Sequence, residues 1–334
     1  MYTDSYRDLE SSSMHIADSD TTLLVTDDFN AVQTQRRLLT ILTKLINSEV
    51  CLFNYTKLGC YKENRIGRLL DEAVSSLSEL QNSICEYQRL HPTITLFSNT
   101  LEAHNPSQEA TSLDKWLKFF REKANSVSHK RNLRNFERAA SKNLKGALNY
   151  VDHLFDNYSR LLVVRIDLSY QKEFIKNKTI STDVTRLHRK NLFKQVHTHP
   201  LFKHFLGYIW KLEYGQYKGF HYHTCFFFNG SKVRGDVTLA RRIGEFWRNE
   251  ITEGKGLYFN CNAVANKYSE LGIGDIHYSN QEKRSSLQNT IAYLTKVDTA
   301  VRLTLPQGGR TFGRSEHVLK IKDKRGRHRN CLDI

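Results

Sequence analysis

Apolar positions recur with one period in the earlier part of this chain and with another in the later part, and the change comes at Arg160. In the earlier part they recur every three or four residues, which predicts amphipathic helices. These predicted helices cover residues 34–50, 65–90, 113–124 and 132–156. His91-Pro92 is expected to end the second helix, because a residue before proline avoids helical angles. With residues 97–112 interpreted as a loop, the first 150 residues are expected to be all-helical.

The later part has the shorter period of a β-sheet, with helices between the strands. Residues 161–168 are mostly apolar and rich in β-branched residues, which is typical of a buried strand. Residues 205–214 and 220–228 flank a turn at 215–219 and predict an antiparallel hairpin. Further helices are expected at 181–199, 236–252 and 284–298, and further strands at 256–264 and 274–278. The expected fold class is α+β, with an antiparallel sheet and packed helices after an all-helical N-terminal region.

Charge separates the same two parts of the 334-residue chain. The net charge is +15, with −4 in residues 1–100 and +19 in residues 101–334. A basic later part favours a polyanionic partner, although basic charge alone identifies nucleic-acid binders weakly. No apolar run is long enough to span a bilayer and the first 20 residues do not resemble a signal peptide, so a cytoplasmic protein without a membrane partner is expected. The six cysteines form no C-x-x-C pair and are interpreted as reduced, mostly structural thiols.

Candidate chemistry lies on the predicted hairpin. His221 and His223 are two residues apart on one strand, so they point to the same face and could share a metal ion. Glu213 is on the other arm, where antiparallel pairing can bring it opposite the histidines. Two imidazoles and one carboxylate leave coordination positions open, as in a catalytic metal site. Histidines on a solvated sheet face and an exposed carboxylate are the ordinary alternative.

A second candidate is on the predicted helix at 284–298. Tyr293 and Lys296 are three residues apart and therefore share a face of that helix. A phenol is a weak nucleophile at neutral pH unless a neighbouring group activates it or its target is polarised. Taken alone, a tyrosine on an amphipathic helix more often packs against a core.

Together these segments resemble the HUH endonuclease superfamily. The matching segments are His221-Tyr222-His223, the acidic residue Glu213, the Y-x-x-K motif Tyr293-Leu294-Thr295-Lys296, and the looser strand motif Arg165-Ile166-Asp167-Leu168. Residues 311–315, after Gly308-Gly309, are similar to the inovirus replication-initiator-like proteins of filamentous phages and prophages. The resemblance covers residues 155–318.

The resemblance implies a DNA strand transferase that nicks and rejoins single-stranded or hairpin origin DNA and starts rolling-circle replication. His221, His223 and Glu213 would hold Mg²⁺ or Mn²⁺, and Tyr293 would form a 5′-phosphotyrosine link assisted by Lys296. Only one tyrosine stands in the helix motif, so a single-tyrosine mechanism is expected. Host helicase and polymerase are expected partners. The predicted DNA-binding residues are Arg165, Lys211, Lys218 and Arg314.

The sequence divides into a loosely attached leader at 1–30, a helical accessory region at 31–156, an HUH-type endonuclease domain at 157–319 and a basic tail at 320–334. Two alternatives stay open, and a third does not fit the sequence. A non-catalytic DNA-binding regulator of a mobile element would have the same charge. A metal enzyme on a β-barrel would use the histidines but not Tyr293, and a tyrosine recombinase would have no place for the hairpin.

Overall fold

A computed structural model describes residues 26–84, 87–104, 106–107, 109–215, 218–267, 272–296, 302–305 and 309–316, and the side chains of residues 26–32, 293 and 296 lie outside it. The helices are α1 (Thr26–Asn47), α2 (Arg65–Ser83), α3 (Pro92–His104), α4 (Ala110–Asn125), α5 (Val127–Asn157), α6 (Lys172–Lys176), α7 (Thr182–Gln195), α8 (Asp236–Phe246) and α9 (Gln281–Lys296). The strands are β1 (Phe53–Tyr55), β2 (Tyr61–Glu63), β3 (Gln88–Arg89), β4 (Arg160–Tyr170), β5 (Phe205–Gly215), β6 (Gly219–Asn229), β7 (Gly256–Asn260), β8 (Gly274–His277), β9 (Arg302–Leu303) and β10 (Phe312–Arg314).

Helices α1 to α4 enclose a core of their own. Apolar side chains from all four meet there, including Leu42, Leu77, Phe97 and Trp116. The region is not purely helical, since β1 and β2 form a small antiparallel hairpin between α1 and α2. Asn64 accepts hydrogen bonds from the backbone N–H groups of Ile66 and Gly67 and so caps the start of α2.

Two predictions in this region are wrong. Residues 97–112 are not a loop, because α3 continues to His104 and α4 begins at Ala110. The buried side chains of Phe97 and Thr100 explain the helix, which tertiary packing stabilises. The second predicted helix ends at Ser83 rather than at His91, and Pro92 instead begins α3, where its missing N–H costs nothing.

A six-stranded antiparallel sheet forms the second part, in the order β10-β5-β6-β4-β7, with β8 paired to the other half of β4. The predicted strand at 161–168 and the two arms of the hairpin are confirmed. Several bounds differ from the prediction: the helix expected at 181–199 is Thr182–Gln195, and the one expected at 284–298 is Gln281–Lys296. The strand that begins at Gly256 ends at Asn260 and turns into a 3₁₀ segment, Cys261–Lys267, and α8 ends at Phe246 in a π-turn, Trp247–Ile251.

The two faces of the sheet are covered by different helices. Even-numbered side chains of β4 and β6 pack with α7 and α8, around Leu192, Ile243 and Trp247. Odd-numbered side chains such as Val163 and Phe227 pack with the second half of α5 and with α9. This second face changes character along the strands: it is apolar at one end and polar at the other, where Arg165, Asp167, Lys211, Glu213 and the two histidines lie.

The expected α+β class, with an antiparallel sheet, packed helices and a helical N-terminal region, is confirmed. Helix α5 joins the two parts, because it contacts α3 and α4 with its first half and the sheet with its second. Residues 1–25 of the expected leader at 1–30 lie outside the described residues, and the remaining residues of that segment belong to α1, which begins at Thr26. The expected basic tail at 320–334 also lies outside the described residues. Helices long and apolar enough to cross a bilayer are absent from the part of the chain that was described.

Candidate metal centre

The hairpin register brings the three predicted ligands together. In the β5–β6 pair Glu213 lies opposite His221, and Lys211 lies opposite His223. Residues two apart on a strand point to the same face, so all four side chains project from one side of the sheet. The two histidine rings are 5.1 Å apart between centroids. The local alternation of the sequence therefore positions this group, provided that the turn keeps the register.

His221 is held so that one ring nitrogen faces Glu213. Its Nδ1 lies 3.0 Å from the carbonyl oxygen of Gly219, which can only accept a hydrogen bond, so Nδ1 carries the hydrogen. In the neutral ring the other nitrogen, Nε2, then has a free lone pair, and it lies 3.6 Å from Oε2 of Glu213. This is the tautomer that a metal-ligating histidine adopts when a backbone carbonyl orients it.

His223 is positioned between two carboxylates. Its Nδ1 lies 2.8 Å from Oδ1 of Asp167 in a close contact whose angle departs from that of an aligned hydrogen bond. Its Nε2 lies 3.2 Å from Oε2 of Glu213. Asp167 stands opposite His223 in the β4–β6 pair, and its side chain is 3% exposed. A carboxylate behind a histidine is a recurrent support of metal ligands, because it fixes the ring and raises its basicity.

Glu213 is the most open member of the group, with 19% of its side chain exposed. Its Oε2 faces both histidines, whereas its Oε1 is enclosed and accepts no hydrogen bond from the described residues. An enclosed carboxylate oxygen without a partner is costly unless a cation or a proton compensates it. This observation agrees with a cation-binding role for Glu213.

Burial and neighbouring charges shift the pKa values of the group in different directions. Burial, with the charge of Lys218, lowers the pKa of His221 to about 4, so that ring is neutral at pH 7. Burial would also lower the pKa of His223, but Asp167 and Glu213 outweigh it and raise that pKa to about 9. Burial would raise the pKa of both carboxyls, yet the charge of His223 holds the pKa of Asp167 and of Glu213 well below the usual range.

The donor set fits a divalent metal ion. The ligand atoms of Glu213, His221 and His223 all lie within 4.8 Å of one another, and among the described residues they form the group suited to hold an ion. Imidazole nitrogens with a carboxylate oxygen suit first-row transition ions, and carboxylate and water suit Mg²⁺ as well. Three protein ligands leave positions for a substrate oxygen, which distinguishes such a centre from a closed structural site.

Asp167 was missed as a site residue by the sequence alone, although its segment was matched to a strand motif. A signal was present: Arg165, Asp167 and Ser169 alternate with apolar residues in β4, and all three are buried. Buried charged residues on one face of a central strand need partners on the neighbouring strand. The sequence of β4 does not reveal that its neighbour is β6, the strand of His221 and His223. The reason is that Asp167 and His223, which this pairing brings together, are 56 positions apart.

The predicted DNA-binding residues have unlike surroundings. Arg165 and Lys211 are each only 1% exposed. They lie beneath the surface, on the sheet face that carries the two histidines, and not on a surface that a DNA strand could contact. Lys218 is half-buried at the hairpin turn. Arg314 is half-buried on the edge strand β10, with its guanidinium 5.4 Å from the centroid of the Tyr150 ring. Binding of DNA by any of the four stays a prediction.

The predicted nucleophile and its partner are carried by α9. The side chains of Tyr293 and Lys296 lie outside the described part of the structure, so only their helix is placed. Leu287, Ile291 and Leu294 bury α9 against the sheet face that also carries the histidines. The helix contacts β5, the strand of Glu213.

The fold and the site together define an α+β protein whose antiparallel sheet presents a two-histidine, one-carboxylate centre. The chain belongs to the family described as the YagK/YfjJ C-terminal domain, whose model matches residues 122–315. The match includes α5, the whole of the described sheet and α9. Searches of curated proteins and of solved structures each returned no match.

Proposed function

We propose that this protein is a cytoplasmic, metal-dependent endonuclease that nicks and rejoins single-stranded DNA through a 5′-phosphotyrosine intermediate, starting rolling-circle replication of a phage, prophage or related mobile element. The observation that carries the proposal is the convergence of Glu213 and two oriented histidines on one point of the sheet. The resemblance to HUH endonucleases supports the reaction class, which the family match leaves open.

His221, His223 and Glu213 would hold the ion, which we propose is Mg²⁺ or Mn²⁺. When bound there, a divalent ion supplies Lewis-acid polarisation of the scissile phosphate. Asp167 would keep the Nε2 lone pair of His223 directed at the ion. Gly219 would do the same for His221 through its carbonyl oxygen.

Tyr293 would supply the nucleophile. Its phenolic oxygen would form a bond to phosphorus while the bond from phosphorus to the 3′ oxygen breaks, leaving a 5′-phosphotyrosine and a free 3′-hydroxyl. The phenolic proton is lost and the departing 3′ oxygen gains one, and Lys296, three residues further along α9, would assist this exchange. The packing of α9 on the histidine face of the sheet supports this assignment.

The products account for the proposed biological role. A free 3′-hydroxyl can prime a polymerase, and a helicase would open the duplex ahead of it, so host enzymes of both kinds are proposed partners. The covalent link preserves the energy of the phosphodiester, so a second 3′-hydroxyl can attack it and rejoin the strand. The side chains of Lys218 and Arg314 are half-buried and therefore partly accessible to solvent. Of the four predicted DNA-binding residues, these two are the ones that a DNA strand could reach more easily.

A covalent-adduct assay tests the nucleophile. The full chain is incubated with labelled single-stranded DNA from its own genomic neighbourhood in the presence of Mn²⁺, and then denatured. We expect a labelled band at the mass of the protein that disappears in Tyr293→Phe. The matched control is Tyr278→Phe, which makes the same replacement shortly before α9 begins at Gln281. This variant should keep the band. An adduct that survives Tyr293→Phe would show that the nucleophile is another residue.

A second pair of variants tests the centre. His221→Ala with His223→Ala, and separately Glu213→Gln, should abolish the adduct while leaving salt-sensitive DNA binding nearly unchanged. If the wild-type protein binds DNA and never cleaves it with Mg²⁺ or Mn²⁺, the alternative of a non-catalytic DNA-binding regulator replaces this proposal.

A further inference from the structure

The first half of α5 carries a row of positive charge. Between residues 127 and 145 there are six Lys or Arg side chains, all exposed, and a single acidic residue, Glu137. We call these six the α5 stripe: Lys130, Arg131, Arg134, Arg138, Lys142 and Lys145. At 100° per residue they all fall within an arc of about 120° around the helix axis. The charges therefore form one continuous row and not a scatter.

The orientation of the stripe is fixed by the packing of the same helix. The buried residues of α5 include Phe136, Ala140, Ala147 and Tyr150, and they lie on the side opposite to the stripe. The first half of the helix packs on α3 and α4, and the second half packs beneath the sheet. With both halves anchored, the stripe faces solvent.

Within the described part of the chain, carboxylates do not neutralise the α5 stripe. None of its six cations forms an ion pair with an acidic side chain of the described residues, whereas Arg37 and Arg284 elsewhere are paired with carboxylates. Lys130, Arg134, Arg138 and Lys142 follow one another at intervals of four, and like charges at that spacing destabilise a helix. A row that costs stability and has no carboxylate partner among the described residues fits an external polyanion.

The spacing and composition of the stripe identify the polyanion. Its length is about 22 Å at 1.5 Å per residue, which spans several phosphates of a nucleic-acid strand. No Phe, Tyr or Trp of this segment is exposed, since Phe136 is buried. Proteins that hold single strands combine cations with exposed aromatic rings on which the bases stack. Cations without such rings fit the backbone of a duplex, which offers phosphates and no free base faces.

We propose that the α5 stripe binds the sugar–phosphate backbone of duplex DNA without regard to sequence. The stripe ends next to the sheet: Arg314 of β10 lies over Tyr150 and beside Gly146, one residue past Lys145. A duplex on the stripe thus reaches the edge of the sheet whose inner strands carry the histidines. The binding of duplex DNA by the α5 stripe does not depend on the proposed function. The further statement that this duplex flanks the nicked strand does rest on it.

The test removes four charges at two different places. One variant changes Arg131, Arg134, Arg138 and Lys142 to Gln, a good helix former that keeps a long side chain. The matched control changes the exposed Lys172, Lys176, Lys190 and Lys194 of α6 and α7 to Gln, which lowers the net charge equally. Binding of the full chain to a short duplex of arbitrary sequence, and to one of its single strands, is measured across a range of salt concentrations.

In the stripe variant we expect duplex affinity near 0.1 M salt to fall roughly 10²-fold and the slope of log K against log salt to shrink by about 3. The control should keep the slope of the wild type. Arg131→Lys, Arg134→Lys and Arg138→Lys together should also keep it, because backbone contacts need charge and not a guanidinium. Equal losses in the stripe variant and the control would overturn the proposal, and so would an unchanged slope in the stripe variant.

Two further outcomes separate the claims. A loss confined to the single strand would overturn the assignment to duplex DNA. The adduct assay on a short single-stranded oligonucleotide uses Tyr293 and does not involve the stripe. If the wild type never forms that adduct but the stripe variant still loses duplex binding, the proposed nuclease fails and the α5 stripe stands.

Discussion

The position of His223 between two carboxylates predicts how metal binding depends on pH. Asp167 and Glu213 raise the pKa of His223 to about 9, so below that pH the metal-free protein holds a proton on this ring. A metal ion needs the neutral ring and must displace that proton. The sign follows directly: apparent metal affinity rises with pH up to about 9 and levels off above it.

The size of the effect comes from the same pKa. At pH 7 the protonated form of His223 exceeds the neutral form by about 100 to 1, which costs about 2.7 kcal/mol of apparent metal affinity at 1.36 kcal/mol per pH unit. His221 adds no competition there, because its pKa of about 4 leaves it neutral. Affinity should therefore change by about one decade per pH unit between pH 6.5 and 8.5.

Replacing Asp167 by Asn changes both the slope and the plateau. The amide has no charge, so the pKa of His223 falls and the proton competes less. The ring also loses its orienting carboxylate, which costs roughly 10- to 100-fold in metal affinity. We expect Asp167→Asn to show a shallower pH dependence and weaker binding at the upper end of the range. The control is Asp275→Asn, which removes a half-exposed carboxylate paired with Arg160 at the other end of β4.

Calorimetric titration of the metal-free protein with Mn²⁺ checks this. Each bound ion should release about one proton near pH 7, which is measured by repeating the titration in buffers with different ionisation enthalpies. A wild-type affinity that stays constant between pH 6.5 and 8.5 would refute the reasoning, since His223 would then not hold the proton that its surroundings imply.

Three other predictions concern stability. Gly207→Ala should destabilise the fold by about 2–3 kcal/mol in urea unfolding, because its Cβ would overlap the Tyr150 hydroxyl; a neutral effect would mean that α5 can shift away from β5. Burial, with the charge of His129, lowers the pKa of His91 to about 4. The unfolded chain therefore takes up the proton first, so stability should be full above pH 6.5 and decline as the pH falls towards 4. The full shift would imply a decline of roughly 3 kcal/mol, and solvent screening of the partly exposed ring reduces it to about 1–2 kcal/mol. His91→Gln should flatten this decline, and an unchanged pH profile would exclude His91 as its source. Phe97→Ala should cost about 3–5 kcal/mol in the core of α1 to α4, with no change in Mn²⁺ affinity, because that core is separate from the sheet.

The sequence alone determined those features whose signal is local. The alternation of β6 placed His221 and His223 on one face, and the short turn placed Glu213 opposite them. Local periodicity also predicted the apolar strand β4 and the helix α9. Each depends on residues within about ten positions of one another, where period and turn chemistry are sufficient.

Tertiary structure decided what depends on distant pairing. Asp167 meets His223 only because β4 and β6 are neighbours, and β3 pairs with β9 across more than 200 residues. The burial of Arg165 and Lys211 follows from the central positions of their strands, which no local pattern reveals. Helix α3 was missed because its stability comes from packing in a core shared by four helices and not from its own periodicity. Such contacts cannot be read from a local stretch of sequence, because the free energy that stabilises them comes from segments that are distant along the chain.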